Sequence, residues 1–377
     1  MNILRDSLVY GPFKADRMHP LSKVLGSSDF DNYETFPIEL YGHRDTVRCI
    51  AFITQKLIIS GSWDYTLRIW DITTGEMVGE PLRGHTGYIS CVIVSPNGHT
   101  IASCGNDRTI RLWKFHQASN RSTSCWHVMK AEDEGWVWSI AFSPDGMQII
   151  SVSYTQMVRV WSVATGQQIR KAIRCHNGPI TSIALSPDGK RAISGSWDHS
   201  VKMWDTTNWC PASETKMVHT GTIIAVVFSP DSTSFASASE DSTIIIWDAV
   251  TCHTKHTFSV PTGATWSVAY SPSGKYLAAS GHSIIYIWNI ESGSLIGVLK
   301  GHHDLVCSVA FSPDGTRLLS GSKDCTVRIW DRIYVEDESL SQAYGTTISE
   351  YGTVQTGAVP LKPLRPKWYI QGQSSQE

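Results

Sequence analysis

The feature that most constrains this chain is a segment written seven times over. "LIISGSWDYTLRIWD", "TIASCGNDRTIRLWK", "QIISVSYTQMVRVWS", "RAISGSWDHSVKMWD", "SFASASEDSTIIIWD", "YLAASGHSIIYIWNI" and "RLLSGSKDCTVRIWD" each carry a tryptophan near their end. Those tryptophans are Trp70, Trp113, Trp161, Trp204, Trp247, Trp288 and Trp330, spaced 41–48 residues apart. Within each repeat, short β-branched runs are broken by turns such as Ser143 to Gly146 and Ser312 to Gly315. That is the pattern of consecutive antiparallel strands joined tightly. A unit this small cannot bury its apolar faces alone, so successive units must stack and share a core.

These residues resemble the WD-repeat family, whose signature is Gly-His near the start and Trp-Asp near the end of a unit of about 40–45 residues. The resemblance covers about residues 35 to 332. Units such as "VGEPLRGHTGYI" and "SGSWD" are similar in style to repeats of fungal WD-repeat proteins. The implied fold is all-β, a seven-bladed β-propeller of four-stranded antiparallel blades around a central channel. The last repeat stops at Asp331, before its fourth strand, while "ETFPIELYG" (34–42) precedes the first Gly-His. That segment is expected to serve as the outer strand of the final blade and close the ring. Three regions follow: an N-terminal extension (1–33), the propeller (34–332) and a partly disordered C-terminal extension (333–377). Neither extension shows the heptads of a coiled coil.

The resemblance also implies a buried hydrogen-bond chain in each blade, from a loop His through a strand Ser to the closing Trp, with a turn Asp on the other side of the His. Carried over, blade one supplies His43, Ser60, Asp64 and Trp70, and blade two His85, Ser103, Asp107 and Trp113. Blade four supplies His176, Ser194, Asp198 and Trp204; blade five His219, Ser237, Asp241 and Trp247; blade seven His302, Ser320, Asp324 and Trp330. A buried indole N–H needs an acceptor, and each polar group after it needs its own partner. These sets are therefore read as structural, since hydrolytic chemistry would need one distinctive site. Blades three and six depart from the pattern, with Asp133 and Thr155 in one and Pro261, Ala278 and His282 in the other. Such loops are either tolerated variation or freed to serve a ligand.

Charged residues make up 18% and the formal net charge is −2, so the basic excess that tracks a phosphate backbone is missing and nucleic acid is not expected as a partner. No apolar run reaches the roughly 18 residues of a membrane-spanning helix, and Arg5 and Asp6 sit where a signal peptide would be apolar. The nine cysteines are scattered without a C-x-x-C pair, which fits reduced thiols in the cytoplasm or nucleus and argues against a zinc site. Neither cofactor nor metal is expected, and a monomer is the default. No Walker-type phosphate loop is present, and no blade ends in the Trp-Asp-x-Arg of cullin-ligase receptors in this family.

Of 15 tryptophans, eight do not close a blade: Trp63, Trp126, Trp136, Trp138, Trp197, Trp209, Trp266 and Trp368. Five of these fall at three repeat positions: three and five residues after the loop His, and just before the turn Asp. In the family those positions face the top of the channel and grip partners. Trp136 and Trp138 stand two apart, which on a strand points both to one side. The candidate partner-binding set is Arg48, Trp63, Tyr88, Trp136, Trp138, Tyr154, Trp197, Glu240, Trp266 and Lys323. A contiguous aromatic patch usually marks a binding site, so the expected function is a non-enzymatic scaffold or adaptor that docks a peptide or domain of another protein. The alternative is a sensor holding a small ligand or modified side chain on the same face, as in the fungal immune-type receptors that carry similar repeats.

Overall fold

The computed structural model describes residues 37–115, 123–130, 135–212 and 218–331. Its strands form seven separate antiparallel sheets, one per repeat. Blade one shows the plan, running through Val47–Phe52, Leu57–Ser62, Leu67–Asp71 and Glu76–Met77 in spatial as in chain order. Six sheets have four strands. In blade four the described residues of the outer edge form a single bridge, Trp204 to Pro211.

The first strands of neighbouring blades touch one another in order. Val47–Phe52 meets Ile89–Val94, followed by Val137–Phe142, Ile180–Leu185, Ile223–Phe228, Val268–Tyr270 and Val306–Phe311, and the last returns to the first. This cycle is the wall of a central channel. Closure is made as expected: Ile38–Leu40 pairs with Val327–Asp331, placing Leu40 opposite Val327. The expected extensions at 1–33 and 333–377 lie outside the described residues.

The core is divided among the joints between blades. Trp113 and Phe115 of blade two pack with Ile59 and Leu67 of blade one, and Trp330 packs with Ile285 and Ile287 of blade six. The ring's closing joint gathers Leu40, Leu319 and Val327 around Ile58 and Trp70. Each of the seven apolar clusters draws on two adjacent blades in this way. The glycine of Gly-His has a steric reason of its own. A Cβ on Gly42, Gly84 or Gly301 would lie 2.4–2.8 Å from the guanidinium of Arg68, Arg111 or Arg328 and against the closing indole.

Candidate functional site

Five blades hold the hydrogen-bond chain intact. In blade one Trp70 Nε1 donates to Ser60 Oγ at 2.8 Å, Ser60 Oγ meets His43 Nε2 at 2.7 Å, and His43 Nδ1 meets Asp64 at 2.8 Å. Because Ser60 accepts from the indole, it donates to Nε2, which leaves the imidazole proton on Nδ1 facing the carboxylate. The same links recur at His85, His176, His219 and His302, with every Ser–His and Ser–Trp distance between 2.7 and 3.0 Å. Asp107, Asp198, Asp241 and Asp324 complete them. Ser60, Ser103, Ser194, Ser237 and Ser320 are all 0% exposed, so none is placed to meet a substrate. Among the described residues blade three shows the inner part of the chain, Trp161 to Ser151 at 2.8 Å; Asp133 lies outside the described residues. Blade six has Ala278 where the acceptor would stand. Its first strand is cut to Val268–Tyr270, and Thr265 N reaches back to Ser239 O of blade five.

At the end of the channel where each blade begins, one backbone bond recurs. The amide before the turn Asp donates to the carbonyl three residues after the loop His, as in Trp63 to Thr46, Asn106 to Tyr88, Tyr154 to Trp136 and Trp197 to Pro179. That bond fastens two of the three candidate positions together. The third, five residues after the His, is set by a different device. In six blades the strand register shifts across it: between Val47 and Cys49, Ile89 and Cys91, Val137 and Ser139, Ile180 and Ser182, Ile223 and Ala225, and Val306 and Ser308. The skipped residues are Arg48, Ser90, Trp138, Thr181, Ile224 and Cys307. A bulge re-aims its side chain, and here Arg48, Trp138, Thr181 and Ile224 line a shallow, open depression shared with Trp266 and Glu240.

Around this depression the rings form connected groups. Trp63 stacks on Tyr88 at 5.0 Å, and Tyr65 lies 5.6 Å from Tyr88. Trp136 meets Tyr154 at 6.0 Å, Tyr154 meets Trp197 at 6.1 Å, and Trp197 meets Trp138 edge-on at 5.7 Å. Arg48 lies over Trp266 at 5.8 Å and donates to Cys307 O at 3.1 Å, spanning the blade between them. Burial pushes the Cys307 thiol up to about 11, which leaves it protonated.

A family model for the WD domain, G-beta repeat, matches residues 35–71, 75–114, 123–162, 166–205, 213–248, 252–289 and 293–331. The chain belongs to the WD-repeat family. It is 30% identical over 321 residues to nuclear distribution protein nudF 1 of Talaromyces marneffei, covering 82% of this chain and 63% of that protein. It is 32% identical over 324 residues to nudF of Aspergillus flavus, covering 84% and 65%. A guanine nucleotide-binding protein subunit beta of Arabidopsis thaliana is 34% identical over 170 residues, covering 41% and 43%. The chain thus spans less than two thirds of the length of the nudF relatives.

Within this WD-repeat ring most of the sequence-chosen face does come together, but in two aromatic clusters and one cation–ring pair rather than a single patch. Lys323 and Glu240 are exposed at equivalent positions, and only Glu240 lines the depression. The alternation argument for Trp136 and Trp138 needs correction. The strand begins at Val137, after Trp136, and Trp138 sits on the bulge. Trp136 is 41% exposed, whereas the Nε1 of Trp138 is buried with no hydrogen-bond partner among the described residues. Tyr65 was missed. Its signal is an aromatic just after the turn Asp, where other blades carry Arg108, Gln156, His199, Ser242 or Cys325.

The WD-repeat chains also set a pH response. Burial pulls His43, His219 and His302 below the ordinary histidine range, outweighing the pull of their aspartates. Burial pushes the Asp64, Asp198 and Asp324 carboxyls up, but hydrogen bonds from His and hydroxyl partners outweigh it and hold them far below the usual value; Asp107 falls to about 2. A lowered histidine contributes stability that is full above about pH 6.5 and lost as pH falls from there to its folded value. A lowered aspartate contributes stability present above about pH 3.9 and lost as pH falls through its folded value. The melting temperature is therefore expected to drop in two stages, first between about pH 7 and 5 and again below about pH 4. A melt that stays level or rises on acidification to pH 5 would contradict this.

Proposed function

We propose that this chain is a non-catalytic adaptor that docks a peptide or domain of another protein on the aromatic end of its channel. The observation that carries the reading is exposure. Tyr65, Tyr88, Trp136 and Tyr154 are each 40–43% exposed, and all belong to the two clusters at this end. Large aromatics kept in solvent beside one another are anchors of the kind that dominate protein interfaces. Membership of the WD-repeat family supports the same reading, as does the occurrence of a G-protein subunit among the relatives. The nine free cysteines fit a reducing compartment, cytoplasm or nucleus.

The test compares two baits in extract from the source organism: the intact chain and one carrying Tyr88→Ala, Trp136→Ala and Tyr154→Ala. These side chains are exposed, so the two baits should melt within a few degrees of each other. One well-placed aromatic removed costs about 2 kcal/mol or more, roughly thirtyfold in affinity. Partners held by the intact chain and lost by the variant support the reading; an identical set on both baits overturns it. The depression, with its polar and aromatic lining, suggests a second reading, a small-ligand sensor. Saturable binding of a small molecule with no protein retained would support that one.

A further inference from the structure

Two charged residues line the depression at the channel mouth, and they differ in what they are already doing. Arg48 is engaged, donating to Cys307 O and lying over the Trp266 ring. Glu240 is exposed on the rim, and among the described residues its carboxylate has neither a hydrogen bond nor an ion pair. Beside it stand Trp138 and Trp197, whose planes cross at 87° with centroids 5.7 Å apart. Two indoles at right angles make a corner with π-faces turned in different directions, and tryptophan is the ring that attracts a cation best. The depression is shallow and open to solvent, and Ile224 and Thr181 form the apolar and already bonded part of its wall. Such a shallow corner meets the charged end of one side chain rather than a helix or a folded domain.

We infer that this corner receives a lysine or arginine side chain from an extended segment of the partner, held by Glu240 and the faces of Trp138 and Trp197. The inference rests on the docking reading above and gives it a chemical preference. A guest carboxylate would have to compete for an arginine that already has a carbonyl and a ring, whereas a guest cation meets a carboxylate with none.

The experiment uses the full chain labelled with 5-fluorotryptophan, with the Trp138 and Trp197 resonances assigned from Trp→Phe variants. The probes are the pentapeptide acetyl-Ser-Gly-Arg-Gly-Ser-amide and its lysine, citrulline and glutamate counterparts. The arginine and lysine peptides should shift both resonances saturably, and affinity should fall with added salt. Citrulline keeps the shape without the charge and should bind about three- to tenfold more weakly, as should the arginine peptide on Glu240→Gln. Equal binding of citrulline, preference for glutamate, or resonances that stay still at millimolar arginine peptide would each overturn the inference. If the exposed-aromatic variant loses its partners while these resonances stay still, docking stands and the cation preference falls. If the resonances shift but both baits retain the same partners, the corner binds a cation and the docking reading falls.

Discussion

Cutting the chain back to Tyr41 is expected to remove the cooperative unfolding of the ring. The lost strand, Ile38–Leu40, is the outer edge of the final blade, in register with Val327–Ile329. Leu40 is 2% exposed, in a cluster with Trp70 and Val327, so its truncation to Ala alone should cost about 3 kcal/mol. Arg328 is 3% exposed and pairs with Glu39 at 2.8 Å. Removing that partner leaves a buried charge; Glu39 is 30% exposed, so solvent recovers part of the penalty. Together with the lost ladder bonds and the bare strand edge, the deletion should exceed about 5 kcal/mol, comparable to the whole stability of many domains. Denaturant unfolding followed by tryptophan fluorescence measures this directly. An unchanged midpoint would mean that the ring does not depend on this closure.

The second large effect is expected inside a blade. Ser194 is 0% exposed, accepts from Trp204 Nε1 at 3.0 Å and meets His176 Nε2 at 2.8 Å. Ser194→Ala deletes only one oxygen, yet it strands an indole N–H and an imidazole nitrogen together. Each orphaned buried group costs about 1–3 kcal/mol, so roughly 2–6 kcal/mol should be lost. The same change at the exposed Ser292 should stay within about 0.5 kcal/mol. Calorimetric melts of the two variants side by side would show the contrast. Equal melts would mean that the buried chain contributes nothing net to stability.

The architecture was legible because it is written redundantly. Seven spaced tryptophans and recurring Gly-His pairs over-determine the ring, and the five complete hydrogen-bond chains follow position by position. Closure was legible as well, since a final repeat without a fourth strand needs one from elsewhere. The candidate face was only partly legible. Period-two alternation assumes an unbroken strand, and it fails at Trp138, where the register shifts. Nothing in the residue type at Arg48, Thr181 or Cys307 announces a bulge; it comes from the backbone of the repeat. The short first strand of blade six was foreshadowed by Ala278 and His282, but the reach of Thr265 to the neighbouring blade depends on geometry that no motif encodes.

The bulges carry a consequence for how such a chain diversifies. A bulged residue is the extra member of its strand, left out of the ladder that fixes register. Arginine, serine, tryptophan, threonine, isoleucine and cysteine occupy this one place in six blades, and each strand keeps the same pairing on either side. The side chain at the channel mouth can therefore differ between blades while the strand register stays the same. Six unlike side chains thus stand at one place of the repeat, blade by blade, over the same strand pairing.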